Sequence, residues 1–91
     1  MNPTIDINER VSVVSTYKLN SNGKTCFMPL KMKYKTEEIT FTKLALKHPT
    51  SKGQRMIHVF DMSDGQNDYR LEFDAERLSW IYCSMIQGVK Q

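Results

Sequence analysis

The sequence predicts an all-β domain of about six antiparallel strands, forming a meander that closes into a small barrel or a curled two-layer sheet. Short segments rich in β-branched and aromatic residues alternate between apolar and polar positions, and clusters of Asn, Asp, Gly, Pro and Ser separate them. Two segments are apolar on both faces, which indicates that a second layer covers them. Homodimerisation, sheet against sheet, is the alternative way to cover such faces.

The first two predicted strands form a hairpin. Residues 9–19 alternate, and the pair Asn22-Gly23 supplies the positive φ angles of a tight turn. Residues 25–34 follow, with Pro29 inside the strand. Because proline has no N–H to donate to a ladder, Pro29 indicates an edge strand or a β-bulge. The residues of this strand predicted to share its apolar face are Cys26, Met28, Leu30, Met32 and Tyr34.

Four more strands are predicted in the rest of the chain. Residues 39–46 form the third, in which the apolar positions change phase as a β-bulge would cause. Residues 48–54 contain Pro, Ser and Gly and are predicted to be a flexible loop. The fourth and sixth strands, residues 55–63 and 78–86, are apolar on both faces, and residues 68–73 between them alternate.

Length and composition predict a single domain over residues 1–91, with loose termini at residues 1–8 and 87–91. Two cysteines, Cys26 and Cys83, do not form a disulfide framework. The sequence contains neither a secretory signal pattern nor an apolar run of about 18 residues. These features predict a cytoplasmic protein with reduced thiols.

The charge is unevenly distributed along the chain. Residues 1–60 contain ten Lys or Arg and four Asp or Glu, a net charge of +6, whereas residues 61–91 contain three and six, a net charge of −3. This asymmetry fits complementary charges on neighbouring strands. It also fits an interaction surface.

A row of lysines on the second strand is the strongest candidate binding feature. Strand alternation places Lys31, Lys33 and Lys35 on one face. A basic stripe of this kind can neutralise nucleic-acid phosphates, whereas the structural alternative is that lysines protect an edge strand from aggregation. Tyr34 and Phe41, the nearest aromatic residues, have the parity of core positions. The full predicted basic surface comprises Lys31, Lys33, Lys35, Lys43, Lys47, Lys52 and Arg55.

No residue pattern predicts catalysis, a metal or a cofactor. The acidic stretch from Asp61 to Glu72 resembles a calcium loop, but Gly65 is one position early and the flanks have strand patterns, so a hairpin turn is predicted instead. The cysteines and histidines lack zinc-ligand spacing. No local signature places a nucleophile beside a base, and no small-molecule substrate is indicated.

Two stretches, KMKYKTEEITFTKLALKHP and RMIHVFDMSDGQNDYRLEFDAERLSW, resemble short uncharacterised bacterial β-rich proteins with no assigned activity. The resemblance covers residues 27–86. It implies a strand–turn–strand pattern, and it implies no activity and no site residue.

These observations predict a small non-enzymatic binding module that acts through a protein partner or through self-association. The alternative is RNA or DNA binding through the basic strand and loop at residues 31–55. A small metal-binding protein or enzyme is the third prediction. No membrane association is predicted.

Overall fold

A computed structural model describes residues 3–88, which form seven antiparallel strands in one open sheet. The prediction of an all-β antiparallel fold is confirmed, with one strand more than the sequence indicated. Within the described residues, no helix is long and apolar enough to cross a membrane. In chain order, the strands are β1 (Thr4–Leu19), β2 (Thr25–Tyr34), β3 (Glu37–Thr40), β4 (Lys43–Lys52), β5 (Arg55–Ser63), β6 (Asp68–Asp74) and β7 (Ser79–Ile86). Across the sheet their order is β3-β2-β1-β7-β6-β5-β4.

The additional strand arises because the predicted third strand is divided at Phe41 and Thr42. The segment before them is β3, at one edge of the sheet, and the segment after them is β4, at the other edge. The Phe41 N–H donates to the Leu30 carbonyl on β2, and the Thr42 N–H donates to the Ser63 carbonyl on β5, both at 2.8 Å. Two consecutive residues thus bond to strands from opposite ends of the sheet, which requires the sheet to curl.

The ring of Phe27 on β2 gives a measure of this curl. In a flat sheet β2 and β5 would lie about 19 Å apart, which is four strand spacings. The ring centroid of Phe27 is 5.8 Å from that of Phe60 on β5 and 5.1 Å from that of Phe73 on β6. The strands β1 and β2 therefore cover the inner face of β5, β6 and β7 as a second layer.

The core lies inside this curl. Cross-strand neighbours Phe60, Leu71 and Tyr82 form its central row, and Phe60 and Leu71 are completely buried. Complete burial of a large apolar side chain stabilises the fold by about 1.5–3 kcal/mol. The curl supplies a second layer over the inner face of the two-faced segments, so covering the core does not depend on a second copy of the chain. The buried core cluster is Met32, Phe41, Phe60, Met62, Tyr69, Leu71, Trp80 and Tyr82.

The outer face of β5 is also apolar, as the sequence predicted. Ile57 and Val59 are only 4% and 3% exposed. Their partners across the ladder are Asp74 and Glu72. These two carboxylates form ion pairs with long basic side chains from β4 and β5. The aliphatic stems of such side chains cover apolar surface while their charged ends stay in water.

The bulge predicted at Pro29 is confirmed. The register of β1 against β2 shifts between Val14 and Ser15, so that Lys31 and Pro29 pair with consecutive residues. Leu30 is the extra residue of this bulge, and its side chain is exposed. The predicted shared face of this strand is therefore wrong, because one inserted residue reverses the faces on either side. Phe27 points into the core.

Three predicted boundaries are wrong. Within the predicted N-terminal loose segment, β1 already begins at Thr4, which pairs with Ile86 on β7. The predicted flexible loop belongs largely to β4, which reaches Lys52 because it forms a hairpin with β5. Pro49 is tolerated there because β4 is an edge strand. Leu78 precedes β7 with a φ of 53° and points into solvent.

The predicted loose ends are only partly described. Residues 1–2 and 89–91 lie outside the described residues. Gln87 and Gly88 follow β7 without belonging to a strand. The Gly88 N–H donates to Asn67 Oδ1 at 3.0 Å, which holds the chain against the β5–β6 turn.

Candidate functional site

The seven basic residues predicted from the sequence do not all share one surface. Lys31 and Lys33 lie on the outer face of β2, opposite Val14 and Ser12 of β1. Lys35 follows them in the β2–β3 turn with a φ of 57°. On β4, Lys43 begins the strand and is exposed, Lys47 lies on the same face as Phe60, and Lys52 lies at the far end of the strand beside Arg55.

Arg10 connects the separated parts of this basic set. A shallow groove of about 420 Å³ is lined by Arg10, Ser12, Lys33 and Lys35. A second groove of about 560 Å³ is also lined by Arg10. Arg10 lines both grooves, so the two adjoin each other at this residue. We call their six cations the outer basic face: Arg10, Lys33, Lys35, Lys52, Arg55 and Arg77.

Two of these cations are held by carboxylates of β6. Lys52 Nζ lies 2.7 Å from Glu72 Oε1, and Arg55 Nη1 lies 2.7 Å from Asp74 Oδ2. The hydrogen bond to Glu72 raises the pKa of Lys52 above its ordinary value. These pairs join cations of the basic N-terminal part to carboxylates of the acidic C-terminal part, which accounts for some of the charge asymmetry.

The remaining cations of the outer basic face are not neutralised. Within residues 3–88, the side chains of Arg10, Lys33 and Arg77 form neither a hydrogen bond nor an ion pair. The Lys35 side chain forms neither bond among the described residues, and its ammonium lies 5.3 Å from the ring centroid of its neighbour Tyr34. The two carboxylates in the lining, on Glu72 and Asp74, are both already paired. The face therefore keeps a local excess of positive charge.

Edge protection does not account for the lysines of β2. Lys31 and Lys33 lie in a strand that pairs with β1 on one side and β3 on the other. The edge strands are β3 and β4. On β4, Lys47 and Pro49 are the kind of residues that discourage pairing with another chain. Edge protection therefore fits the lysine and proline of β4, and it does not explain the lysine row of β2.

A second concave site, the mouth, lies on the inner side of the curl. Its volume is about 400 Å³, and its lining consists of Tyr17, Phe27, Lys47, His58 and Phe73. The described residues include no carboxylate in this lining. The side chain of Tyr17 is 73% exposed, with its ring centroid 6.3 Å from that of Phe27. Pockets of this size, apolar with a few polar groups, are typical of ligand sites in the mouths of β-barrels.

The floor of the mouth is an aromatic cluster. The Phe73 ring lies 4.8 Å from Trp80, and the Phe27 ring lies 5.8 Å from both Trp80 and Phe60. Such edge-to-face and offset contacts stabilise aromatic pairs beyond their burial. The rings that line the mouth are therefore held in position before any ligand arrives.

Sequence reasoning missed Arg10, Arg77 and Tyr17. Arg10 has the same parity as Ser12, on the polar face of the first strand, and that signal could have added it to the basic set. Tyr17 has the same parity as Val11 and Val13 in the alternating first strand, but its exposure depends on how far β1 extends past β7. By contrast, the core assignment of Tyr34 and Phe41 is confirmed, since their rings pack on Tyr82 and Tyr69.

The acidic stretch forms a hairpin turn. Asp64 Oδ1 accepts hydrogen bonds from the N–H groups of Gln66 and Asn67, and Asp64 Oδ2 accepts one from the Tyr69 hydroxyl. Among residues 3–88, no three His, Cys, Asp or Glu side chains are grouped closely enough to hold a metal ion. Both cysteines are free thiols.

Comparison of the chain with protein-family models, with curated proteins and with solved structures finds no match. The assignment of function therefore relies on the site geometry.

Proposed function

We propose that this chain is a small non-enzymatic module that binds the phosphate backbone of nucleic acid through the outer basic face. The observation that carries the proposal is the position of Arg10, which lines both basic grooves. A continuous row of cations can follow a run of phosphates, whereas two separate patches would each contact only one or two.

The balance of charge in the grooves supports this proposal. Lys52 and Arg55 are paired with carboxylates, which leaves Arg10, Lys33 and Arg77 without partners among the described residues. Lys35 is the fourth cation of this face that has no carboxylate partner within residues 3–88. Binding of phosphates by four unpaired cations should release counterions. For single-stranded nucleic acid, a plot of the logarithm of the binding constant against the logarithm of the salt concentration should then have a slope of about −3.

Self-association has less physical support than it had from the sequence. In the sequence, homodimerisation was one of two ways to supply a second layer, and the curl of the sheet is the other. A protein partner with an acidic surface remains the alternative occupant of the outer basic face. A cytoplasmic location is also proposed, supported by the two free thiols.

The test is a titration of labelled 20-nucleotide strands, followed by fluorescence anisotropy at several salt concentrations. We expect binding at low salt that weakens roughly fifty-fold between 50 and 200 mM salt, as the slope of about −3 requires. Arg10→Gln should weaken binding and reduce the slope by about 1. The matched control is Lys43→Gln, which removes the same charge from a residue outside both grooves.

Absence of binding at the lowest salt would overturn the proposal. An equal effect of Arg10→Gln and Lys43→Gln would also overturn it, since net charge rather than the outer basic face would then govern binding. Polyglutamate of matched charge is included as a competitor. If it binds as tightly as the strands and depends on Arg10 in the same way, the face belongs to an acidic protein partner instead.

A further inference from the structure

We infer that the mouth binds an unpaired nucleobase with its adjoining phosphate, so that the module selects single-stranded over double-stranded nucleic acid. This inference rests on the proposed function and adds the strand type that it recognises.

The rings provide surfaces for stacking. Phe27 and Phe73 lie 5.1 Å apart, with their planes inclined at 54°, and Tyr17 borders them with most of its side chain in solvent. Every base has an aromatic face, and stacking on such side chains is tolerant of sequence. Loss of one stacking ring typically weakens binding by about five- to 150-fold.

The polar groups of the mouth favour an anionic ligand that also carries hydrogen-bonding edges. Lys47 Nζ donates one hydrogen bond, to the Phe27 carbonyl at 3.0 Å, and an ammonium group has three N–H donors. The other two have no hydrogen-bond acceptor in the described part of the chain and can donate to a phosphate. Among the described residues, the His58 ring has no hydrogen-bond partner, so its nitrogens can meet the edge of a base.

The mouth and one part of the outer basic face, the groove lined by Arg55, lie towards the same end of β5. Arg55 and Met56 are consecutive in β5 and therefore point to opposite faces. Arg55 lines the outer groove, while Met56 has the parity of His58 in the mouth. A nucleic-acid strand that passes over this end of β5 can place phosphates on the outer basic face and one base in the mouth. In a duplex the bases are stacked and paired, so none is free to enter.

The test compares three labelled ligands of equal length: a mixed-sequence single strand, the same strand with abasic sites throughout, and a duplex. The abasic strand keeps every phosphate and lacks the bases. We expect the intact single strand to bind at least ten-fold more tightly than the abasic strand. Its binding should also change the fluorescence of Trp80, whose ring lies 4.8 Å from Phe73.

Variants of Tyr17 test whether the mouth causes the higher affinity for the intact strand. Tyr17→Leu removes the ring from an exposed position, so the fold should be kept, which circular dichroism checks. This variant should lose five-fold or more of its affinity for the intact strand and leave the affinity for the abasic strand in place. Tyr17→Phe keeps the ring and should restore tight binding. Lys47→Gln should also lower the affinity for the intact strand, and Lys47→Arg should restore that affinity.

The outcomes separate the two proposals. Equal affinities for intact and abasic strands would overturn the inference about the mouth and leave phosphate binding by the outer basic face standing. Absence of binding to all three ligands would overturn the proposed function itself. If a free mononucleotide changes Trp80 fluorescence while intact and abasic strands bind equally, the mouth serves a soluble nucleotide and single-strand selection is wrong.

Discussion

Lys47 Nζ on β4 donates a hydrogen bond to the backbone carbonyl of Phe27 on β2, at 3.0 Å. The same ammonium lies 5.9 Å and 5.4 Å from the ring centroids of Phe27 and Phe60. β4 is one edge of the sheet, and this half of β2 has no partner on its outer side because β3 pairs only with residues from Lys31 onward. One lysine side chain therefore spans the gap that keeps the curled sheet open.

Replacement of Lys47 by methionine should weaken the contact between β4 and β2. Lys47→Met keeps an apolar stem over the rings and removes the donor, so we expect the free energy of unfolding to fall by about 0.5–1.5 kcal/mol. Urea denaturation followed by Trp80 fluorescence measures this change. Lys43→Met, on the same edge strand, is the control and should change stability by less than about 0.5 kcal/mol. Equal losses in both variants would contradict a bridging role.

Removal of the ring at the centre of the core should have a much larger effect. Phe60 is completely buried, and Phe60→Ala leaves a cavity as well as losing apolar contacts. The expected loss is about 3–5 kcal/mol, a large part of the stability of a domain of this size. Leu46→Ala, at a side chain that is half exposed on β4, should cost far less. Comparable urea midpoints for the two variants would show that the core is misassigned.

The turn aspartate should make stability depend on pH. Burial raises the pKa of Asp64, but hydrogen bonds from Asn67, Tyr69 and Gln66 outweigh it, and the net shift is downward. Its stabilising contribution is therefore present above the unfolded pKa, near 4, and is lost as pH falls through the lower folded pKa. The stability advantage of the native chain over Asp64→Asn should shrink between pH 6 and pH 3.

Urea titrations at each pH measure this difference. Tyr69→Phe removes one of the three donor residues and should reduce the same pH dependence only in part. A constant difference between the native chain and Asp64→Asn across this range would show that these hydrogen bonds do not favour the ionised carboxylate.

The two thiols should react at very different rates. Burial, followed by the nearby Glu72 carboxylate, raises the pKa of Cys83 to about 12. Because the thiolate is the reactive species, Cys83 should be inert at pH 8, whereas Cys26 is only half-buried. A disulfide reagent should therefore label one thiol rapidly and the second only after denaturation. Cys26→Ser should abolish the fast phase and Cys83→Ser should keep it; any other assignment contradicts the burial of Cys83.

The strands and turns that depend on local chemistry were predictable from the sequence. Alternation identified the strands, and Pro29 indicated its own bulge because a missing N–H acts locally. The turn at Asn22-Gly23 was also recognised, but of this pair only Gly23 has a positive φ, at 78°. The faces of β2 were not predictable, since the extra residue in the bulge, Leu30, is defined only by its pairing with β1. The extent of β4 was obscured for a similar reason, because Pro49 is read as a loop residue unless its strand is known to be an edge.

By itself, the sequence determined the all-β class, the core parity of Tyr34 and Phe41, and an excess of lysine on β2. Only the tertiary structure decided how the sheet curls, because the curl depends on contacts between strands far apart in the chain, such as Phe27 with Phe60. The curl covers the core without a second copy and brings together the rings of the mouth. Strand order also places Arg10 of β1 between the lysines of β2 and the ion pairs of β4–β6. The spacing of residues along the chain does not show which residues strand order and the curl of the sheet bring together.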